Sequence, residues 1–179
     1  MWPAPVSTRR SASKGMPQPG PFGIRAYRPS DEGAVVELSL RAWAPVFASL
    51  EAILGSELFV RLHGDWRRYQ EAAVRKALGD QDMTIYVADT GQVVGFVAAR
   101  IADAERRLGE IYMLAVDPES QRHGVGTALT EHATSFLRDA GMRVAMIATG
   151  GDPGHAAARR VYEKAAYTPL PTASYFKSL

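Results

Sequence analysis

Glu110-Ile-Tyr-Met-Leu-Ala-Val-Asp-Pro-Glu-Ser-Gln-Arg-His-Gly-Val-Gly-Thr127 is the stretch whose reading decides the fold. Its first seven residues form a β-rich run, Asp117-Pro118 stops that run, and a glycine pair then opens a helix. A helix N-terminus exposes N–H groups without partners and carries partial positive charge, so an anion fits there. Gly124 and Gly126 lack side chains and let a diphosphate come close to the backbone. Gln121 and Arg122 can add hydrogen bonds and charge.

Downstream of this stretch, Val125, Ala128, Leu129, His132, Ala133, Phe136 and Leu137 recur on one helical face, and Gly141 supplies the stop. Arg143 to Thr149 reads as a short buried strand. Asp152-Pro153 suits the cap and first turn of another helix, reaching about Ala166. Tyr167 to Phe176 reads as one or two short strands interrupted by Pro169 and Pro171.

Upstream, Leu108 to Val116 follows two further β-rich runs, Met83 to Ala88 and Val93 to Ile101, which Asp89-Thr-Gly-Gln92 joins as a hairpin. Phe22, Ile24 and Ala26 alternate as a first strand. Ser30-Asp31-Glu32 looks like a helix start, with Val35, Val36, Leu40 and Trp43 behind it. Two more helical stretches follow, from about Pro45 to Leu54 and from about Ser56 to Leu78, with Gly55 between them and Gly64 inside the second. Residues 1–21 are rich in Pro, Ser, Gly and Ala and are expected to be a disordered tail. The domain is expected to occupy residues 22–179.

The 179 residues fit one domain. There is no cysteine, which removes disulfides, thiolate zinc sites and a catalytic thiol, and suits a reducing cytoplasm. The net charge of +2 comes from scattered arginines, so nucleic acid is not an expected partner. No stretch is read as long enough to cross a bilayer, and the N-terminus lacks the apolar core of a signal peptide, so no membrane role is expected. His63 and His132 read as structural, without metal-ligand spacing. Trp43, Phe47, Trp66 and Tyr69 read as core aromatics.

Gln121-Arg122-His123-Gly124-Val125-Gly126 resembles the Q/R-x-x-G-x-G/A pyrophosphate loop of the GCN5-related N-acetyltransferases (GNAT). The preceding Val116-Asp117-Pro118 is similar to the strand end those enzymes often have. Ala158-Arg-Arg-Val-Tyr162-Glu-Lys164 resembles the family's A-x-x-L-Y-E-K helix, and Tyr167-Thr-Pro-Leu170 and Tyr175-Phe-Lys177 resemble its last strands. The resemblance covers about residues 22–179. It departs at His155, where the family often has asparagine, at Ala166, which replaces a glycine, and at Tyr112, where many members carry a glutamate.

The resemblance implies an α/β (α+β) fold, a mixed and mostly antiparallel sheet flanked by helices, with acyl-CoA bound where the central strands splay. It implies acetyl transfer from acetyl-CoA, as co-substrate, to a primary amine on a small molecule or peptide. Leu114, Ala115 and Val116 would line the pantetheine arm. Gln121, Arg122, His123, Gly124, Val125, Gly126 and Thr127 would surround the diphosphate, with His155 and Ala158 also at the cofactor. Tyr162 would protonate the leaving thiolate, and Glu110, on the same strand face as position 112, is the candidate base. An exposed C-terminal strand would offer a second copy a pairing edge, for a homodimer.

Two rivals stand beside this reading. A dinucleotide-binding oxidoreductase fails because Leu129 stands at the third glycine position and no acidic residue ends the next strand. An acyl-CoA-binding sensor of the same fold, without a competent acceptor pocket, stays open on sequence alone.

Overall fold

The computed structural model describes residues 22–179, so the expected tail over residues 1–21 lies outside the described residues. Strand β1 (Gly23–Ala26) leads through a short 3-10 turn at Pro29–Asp31 into helices α1 (Glu32–His63) and α2 (Trp66–Gly79). Strands β2 (Thr84–Asp89), β3 (Val93–Asp103) and β4 (Leu108–Val116) come next as an antiparallel meander. Then come α3 (Val125–Asp139), β5 (Val144–Ile147) and α4 (Ala156–Lys164). The five strands lie in chain order, with β1 to β4 antiparallel and β5 parallel to β4. This mixed, mostly antiparallel sheet with flanking helices is the architecture expected from the sequence.

Each face of the sheet buries its own apolar layer. Val35, Val36 and Leu38 of α1 and Val74 of α2 pack on Ile85, Val87, Phe96, Ala98 and Ala115. Val125, Leu129, Ala133 and Leu137 of α3 pack on Ala88, Val97, Ala99, Ile111 and Val116. Strand alternation divides the two layers, since successive side chains point to opposite faces. Each fully buried Leu or Phe removes apolar surface worth about 1.5–3 kcal/mol from water. The α3 layer is close: a Cβ on Gly109 would stand 2.5 Å from Leu137 Cδ2, and one on Gly95 would stand 3.1 Å from Leu129 Cδ1.

Two irregularities in β4 shape the far end of the sheet. Met113 pairs with Ala98 and Ile111 with Ala99, so Tyr112 is an extra residue, a β-bulge. Its effect is visible in the packing: Ile111 joins the α3 layer while Met113, two residues on, joins the α1 layer. The second irregularity is that β5 pairs with β4 only from Leu108↔Val144 to Ile111↔Ile147. From the bulge onward the two strands part.

Several local expectations are corrected. The helix does not break before Pro45, which sits inside α1; the interruption expected at Gly55 (φ 75°, ψ 155°) is present as a kink, and Gly64 (φ 53°) ends the helix. The expected third helix from Ser56 to Leu78 is therefore cut in two. By length and composition α1 does reach what a bilayer requires, contrary to the sequence reading, while its buried side chains serve the sheet. Strand β5 is shorter than expected and is a half-exposed edge, with Val144 54% and Met146 41% exposed. No strand forms between Tyr167 and Phe176; Pro169 and Pro171 lack the N–H donors that pairing needs.

Candidate active site

Where β4 and β5 part, a cleft of about 460 Å³ opens. One wall is Ile111 to Val116 of β4, the other Ile147 to Thr149 at the end of β5. The glycine loop, α4 and residues Ala42, Trp43 and Val46 of α1 complete it.

The loop after β4 is set by Asp117. Its Oδ1 accepts from the Glu119 N–H (3.0 Å), its carbonyl accepts from Ser120 N–H (2.8 Å), and its Oδ2 accepts from Arg41 Nε of α1 (3.1 Å). Burial would raise the Asp117 carboxyl, but hydrogen bonds from Arg41 and from the Glu119 N–H hold it below the usual range. Gln121 Nε2 donates to the Val116 carbonyl at 3.2 Å, folding the loop back on the strand. Arg122 (φ 66°) and Gly124 (φ 83°) are both left-handed, an arrangement that costs a non-glycine residue about 1–2 kcal/mol and is typical of ligand loops.

The first backbone bond of α3 runs from Ala128 N–H to the Gly124 carbonyl at 3.0 Å. The N–H groups before it, of Val125, Gly126 and Thr127, are the ones a helix start leaves without an internal partner. A Cβ on Gly124 would meet nothing within 4 Å, whereas one on Gly126 would touch Val161 and Val116 at 3.6–3.7 Å. Gly124 is thus required by backbone conformation, and Gly126 by neither conformation nor space.

On α4, Ala157, Arg160, Val161 and Lys164 line the cleft together with Ala158 and Tyr162. Tyr162 is 9% exposed. Burial, then the neighbouring Tyr167, push its hydroxyl up to about 12, so it keeps its proton through the neutral range. Tyr167 is itself fixed: its hydroxyl shares a 2.7 Å hydrogen bond with Thr134 Oγ1, and its N–H donates to the Tyr162 carbonyl at 3.0 Å.

Of the residues expected at the cofactor, Leu114, Ala115, Val116, Gln121, Arg122, Gly124, Gly126, Thr127, His155 and Ala158 line this one cleft. Val125 does not; it is buried in the α3 layer. His123 is exposed on the loop and does not line it. Glu110 also lies off the lining: its Oε2 accepts from Arg100 Nε at 2.7 Å, its side chain is 13% exposed, and the Arg100 guanidinium covers the Tyr112 ring at 4.9 Å. Tyr112 itself lines the cleft.

Trp43 packs against the α1 layer as expected and also borders the cleft, whereas Tyr69 is 64% exposed, which corrects its reading as core. Phe47 and Trp66 do pack as expected, stacked at 4.5 Å. His63 lies against Phe47 and Phe59, and His132 against Tyr86, where burial lowers its basicity. Arg160 and Lys164 escaped the sequence reading, although their four-residue spacing puts the two on one helix face.

A family model described as the acetyltransferase (GNAT) family matches residues 47–167. A mycothiol acetyltransferase of Sanguibacter keddieii is 31% identical over 168 residues, which is 91% of this chain and 48% of the relative. The chain spans about half the length of the curated relatives it matches first. Among solved structures, the ribosomal-protein-S18-alanine N-acetyltransferase of Escherichia coli aligns with a TM-score of 0.59 at 18% identity, covering 84% of this chain and 79% of that one. The PaiA N-acetyltransferase of Thermoplasma acidophilum, in complex with coenzyme A, gives 0.57 at 16% identity, covering 80% and 87%. With the glycine loop, the parted strands and the Tyr162 helix on one cleft, the family match completes the case: the chain belongs to the GNAT acetyltransferase family.

Proposed function

We propose that the protein transfers an acetyl group from acetyl-CoA to a primary amine by direct attack on the thioester. The observation that carries this is one cleft joining a helix N-terminus, unpaired strand backbone and a buried tyrosine. The residues suit the co-substrate. The first N–H groups of α3 with Arg122 form an anion site, and Arg160 and Lys164 add positive charge. Leu114 to Val116 and Ala158 offer an apolar, slot-like wall to an extended chain. A thioester supplies an acyl group activated toward nitrogen.

The protein's part is alignment and proton handling. An alkyl amine has a pKa near about 10, so only on the order of one in a thousand is free at neutral pH. One proton must leave before attack, and one must reach the departing sulfur. Tyr162, still protonated in its buried position, serves the second need. Glu110 remains the sequence's candidate for the first, and reaching the amine requires it to leave Arg100.

The acceptor enters beside Trp43 and Val46 of α1. It is a small-molecule or peptide amine, the kinds that relatives named for mycothiol, aminoglycoside and ribosomal-protein-S18 alanine acetylation suggest. A cytoplasmic location belongs to the same reading and is supported by the absence of cysteine. Calorimetric titration with acetyl-CoA tests the site, and thiol release with an amine panel tests the reaction. Tyr162→Phe should lower kcat by about 10²-fold while acetyl-CoA affinity stays within about threefold. Unchanged turnover removes Tyr162 from the chemistry.

A further inference from the structure

A base must take the first proton, and the cleft itself narrows the choice. Among the described residues, the titratable side chains lining it are Tyr112, Arg122, His155, Arg160, Tyr162 and Lys164, with no aspartate or glutamate in the set. Arginine and lysine arrive at neutral pH already protonated, and a phenol holds its proton too firmly to serve as a base there. Imidazole is the one group in that set that ordinarily exchanges a proton near neutrality.

His155 is also the most deliberately held of the six. Its Nδ1 is hydrogen-bonded to Asp152 Oδ1, and the Asp152 side chain is only 6% exposed. The other oxygen, Oδ2, accepts from Gly154 N–H at 2.9 Å, and Gly154 N–H also reaches Ser49 Oγ of α1 at 3.1 Å. Arg159 Nη1 clamps the same turn through the carbonyls of Gly150 (2.6 Å) and Asp152 (2.8 Å). The pair exists because position 150 is glycine: a Cβ there would stand 2.5 Å from His155 Nδ1 and closer still to Asp152 Oδ1. A helix cap alone would need only the bond to Gly154.

Burial would raise the Asp152 carboxyl, but hydrogen bonds from His155 and Ser49 outweigh it and keep the group below the usual carboxylate range. An ionised carboxylate only accepts, so Nδ1 must donate, and the neutral ring then presents Nε2 as its free acceptor.

We propose that His155, oriented by Asp152, is the proton acceptor that frees the incoming amine, an inference that rests on the acetyl-transfer reading above. Seven residues separate His155 from Tyr162, two helical turns or about 10 Å along the axis. Both line the same cleft, and the amine, the thioester and a bridging water would lie between them. The ammonium gives one proton to His155 Nε2 across that water. The freed nitrogen lone pair forms the C–N bond as the C–S bond breaks. The leaving sulfur takes the Tyr162 proton, and the second amine proton restores the phenol. His155 returns its proton to solvent, so one amide, one thiol and one proton result. Among charged groups, Asp152 faces the imidazole from its own turn, Arg159 holds the turn from α4, and Arg122, Arg160 and Lys164 share the cleft, while α1 brings Val46 and Ser49 against Gly154.

The test is thiol release from acetyl-CoA by the full chain, against pH. The acceptors are 2-aminoethanol, an alanine-initiated peptide, an aminoglycoside, and hydroxylamine, which is already uncharged at neutral pH. His155→Gln should bind acetyl-CoA within about threefold of the parent, lose about 10²-fold in kcat at neutral pH with the ordinary amines, and lose the acidic limb of the kcat profile. With hydroxylamine the loss should vanish. Asp152→Asn, whose one oxygen keeps the cap on Gly154 and whose amide would donate to Nδ1 and leave the ring proton on Nε2, should lower kcat by a comparable factor, about 10²-fold, and disturb the same limb. An unchanged kcat, an acidic limb that persists in His155→Gln, or a defect confined to acetyl-CoA affinity overturns the proposal. Absence of acetyl-CoA binding by the parent chain defeats the acetyl-transfer reading itself. Binding without transfer to any of the four acceptors defeats both.

Discussion

The two faces of the sheet are built to different tolerances. On the α3 face, buried Gly109 and Gly95 let helix and strand approach so closely that a methyl group would overlap Leu137 at the first and press on Leu129 at the second. On the α1 face the helix continues past the sheet, kinks at Gly55 and leaves Ile53, Val60 and Leu62 open to solvent. The first face carries the glycine loop and the start of α3, which must hold their geometry to within fractions of an ångström. The second carries Trp43 and Val46, where the acceptor would enter. Rigidity is concentrated where the shared ligand would lie, and latitude where acceptors would differ.

Five substitutions would break or sharpen that contrast, apart from the catalytic ones above. Gly109→Ala should have the largest effect on stability, about 1–3 kcal/mol lost in urea unfolding, because its Cβ would fall inside Leu137. A near-neutral result would show that the α3 face can yield. Gly124→Ala should cost about 1–2 kcal/mol for its left-handed backbone and weaken acetyl-CoA binding, whereas Gly126→Ala should leave stability intact. Equal losses at the two glycines would contradict the assignment of conformation to one alone.

Asp117 joins the faces, since it shapes the loop and takes hydrogen bonds from Arg41 of α1. Its folded carboxyl is held below the unfolded value, as is that of Asp31 beside Arg25. Such groups add stability above the unfolded pKa, near about 3.9, and lose it as pH falls through the folded value. Thermal melts should therefore weaken in acid. Asp117→Asn should flatten part of that dependence, at a cost near pH 7 of at most about 1 kcal/mol because Arg41 is half exposed. A melt profile unchanged by the substitution would remove Asp117 from the linkage. The last effect should be small and of opposite sign: Gly33→Ala, in the exposed first turn of α1 with nothing within 4 Å of the new Cβ, should stabilise by about 0.5 kcal/mol. A destabilised variant would mean that the α1 face is packed more closely there than the contacts indicate.

The meander and the loop were legible because their signals are local. Alternation in Met83 to Ala88 and Val93 to Ile101, the Asp89 to Gln92 turn, and the 3.6-residue period after Gly124 each need only neighbours in sequence. Pro45 misled because the rule against proline in helices concerns one lost hydrogen bond, which the packing of α1 outweighs. The bulge at Tyr112 has no glycine to mark it, so a strict two-residue period could not show that Ile111 and Met113 part company. The Asp152–His155 pair was readable only as a cap, because its second purpose depends on the missing side chain at Gly150. The C-terminal strands were expected from resemblance, and two prolines within three residues stood against them.

The parting of β4 from β5 leaves Met113 to Val116 hydrogen-bonded to β3 on one side and to no strand on the other. Such an edge presents its main-chain donors and acceptors in a regular row, and an amide-bearing linear molecule can align with them as a guest strand. Recognition of that kind is written in groups that every amino acid carries. Side chains around such an edge can therefore drift far in evolution while the edge itself survives, and a chain at 16–18% identity to two solved structures still shares their fold.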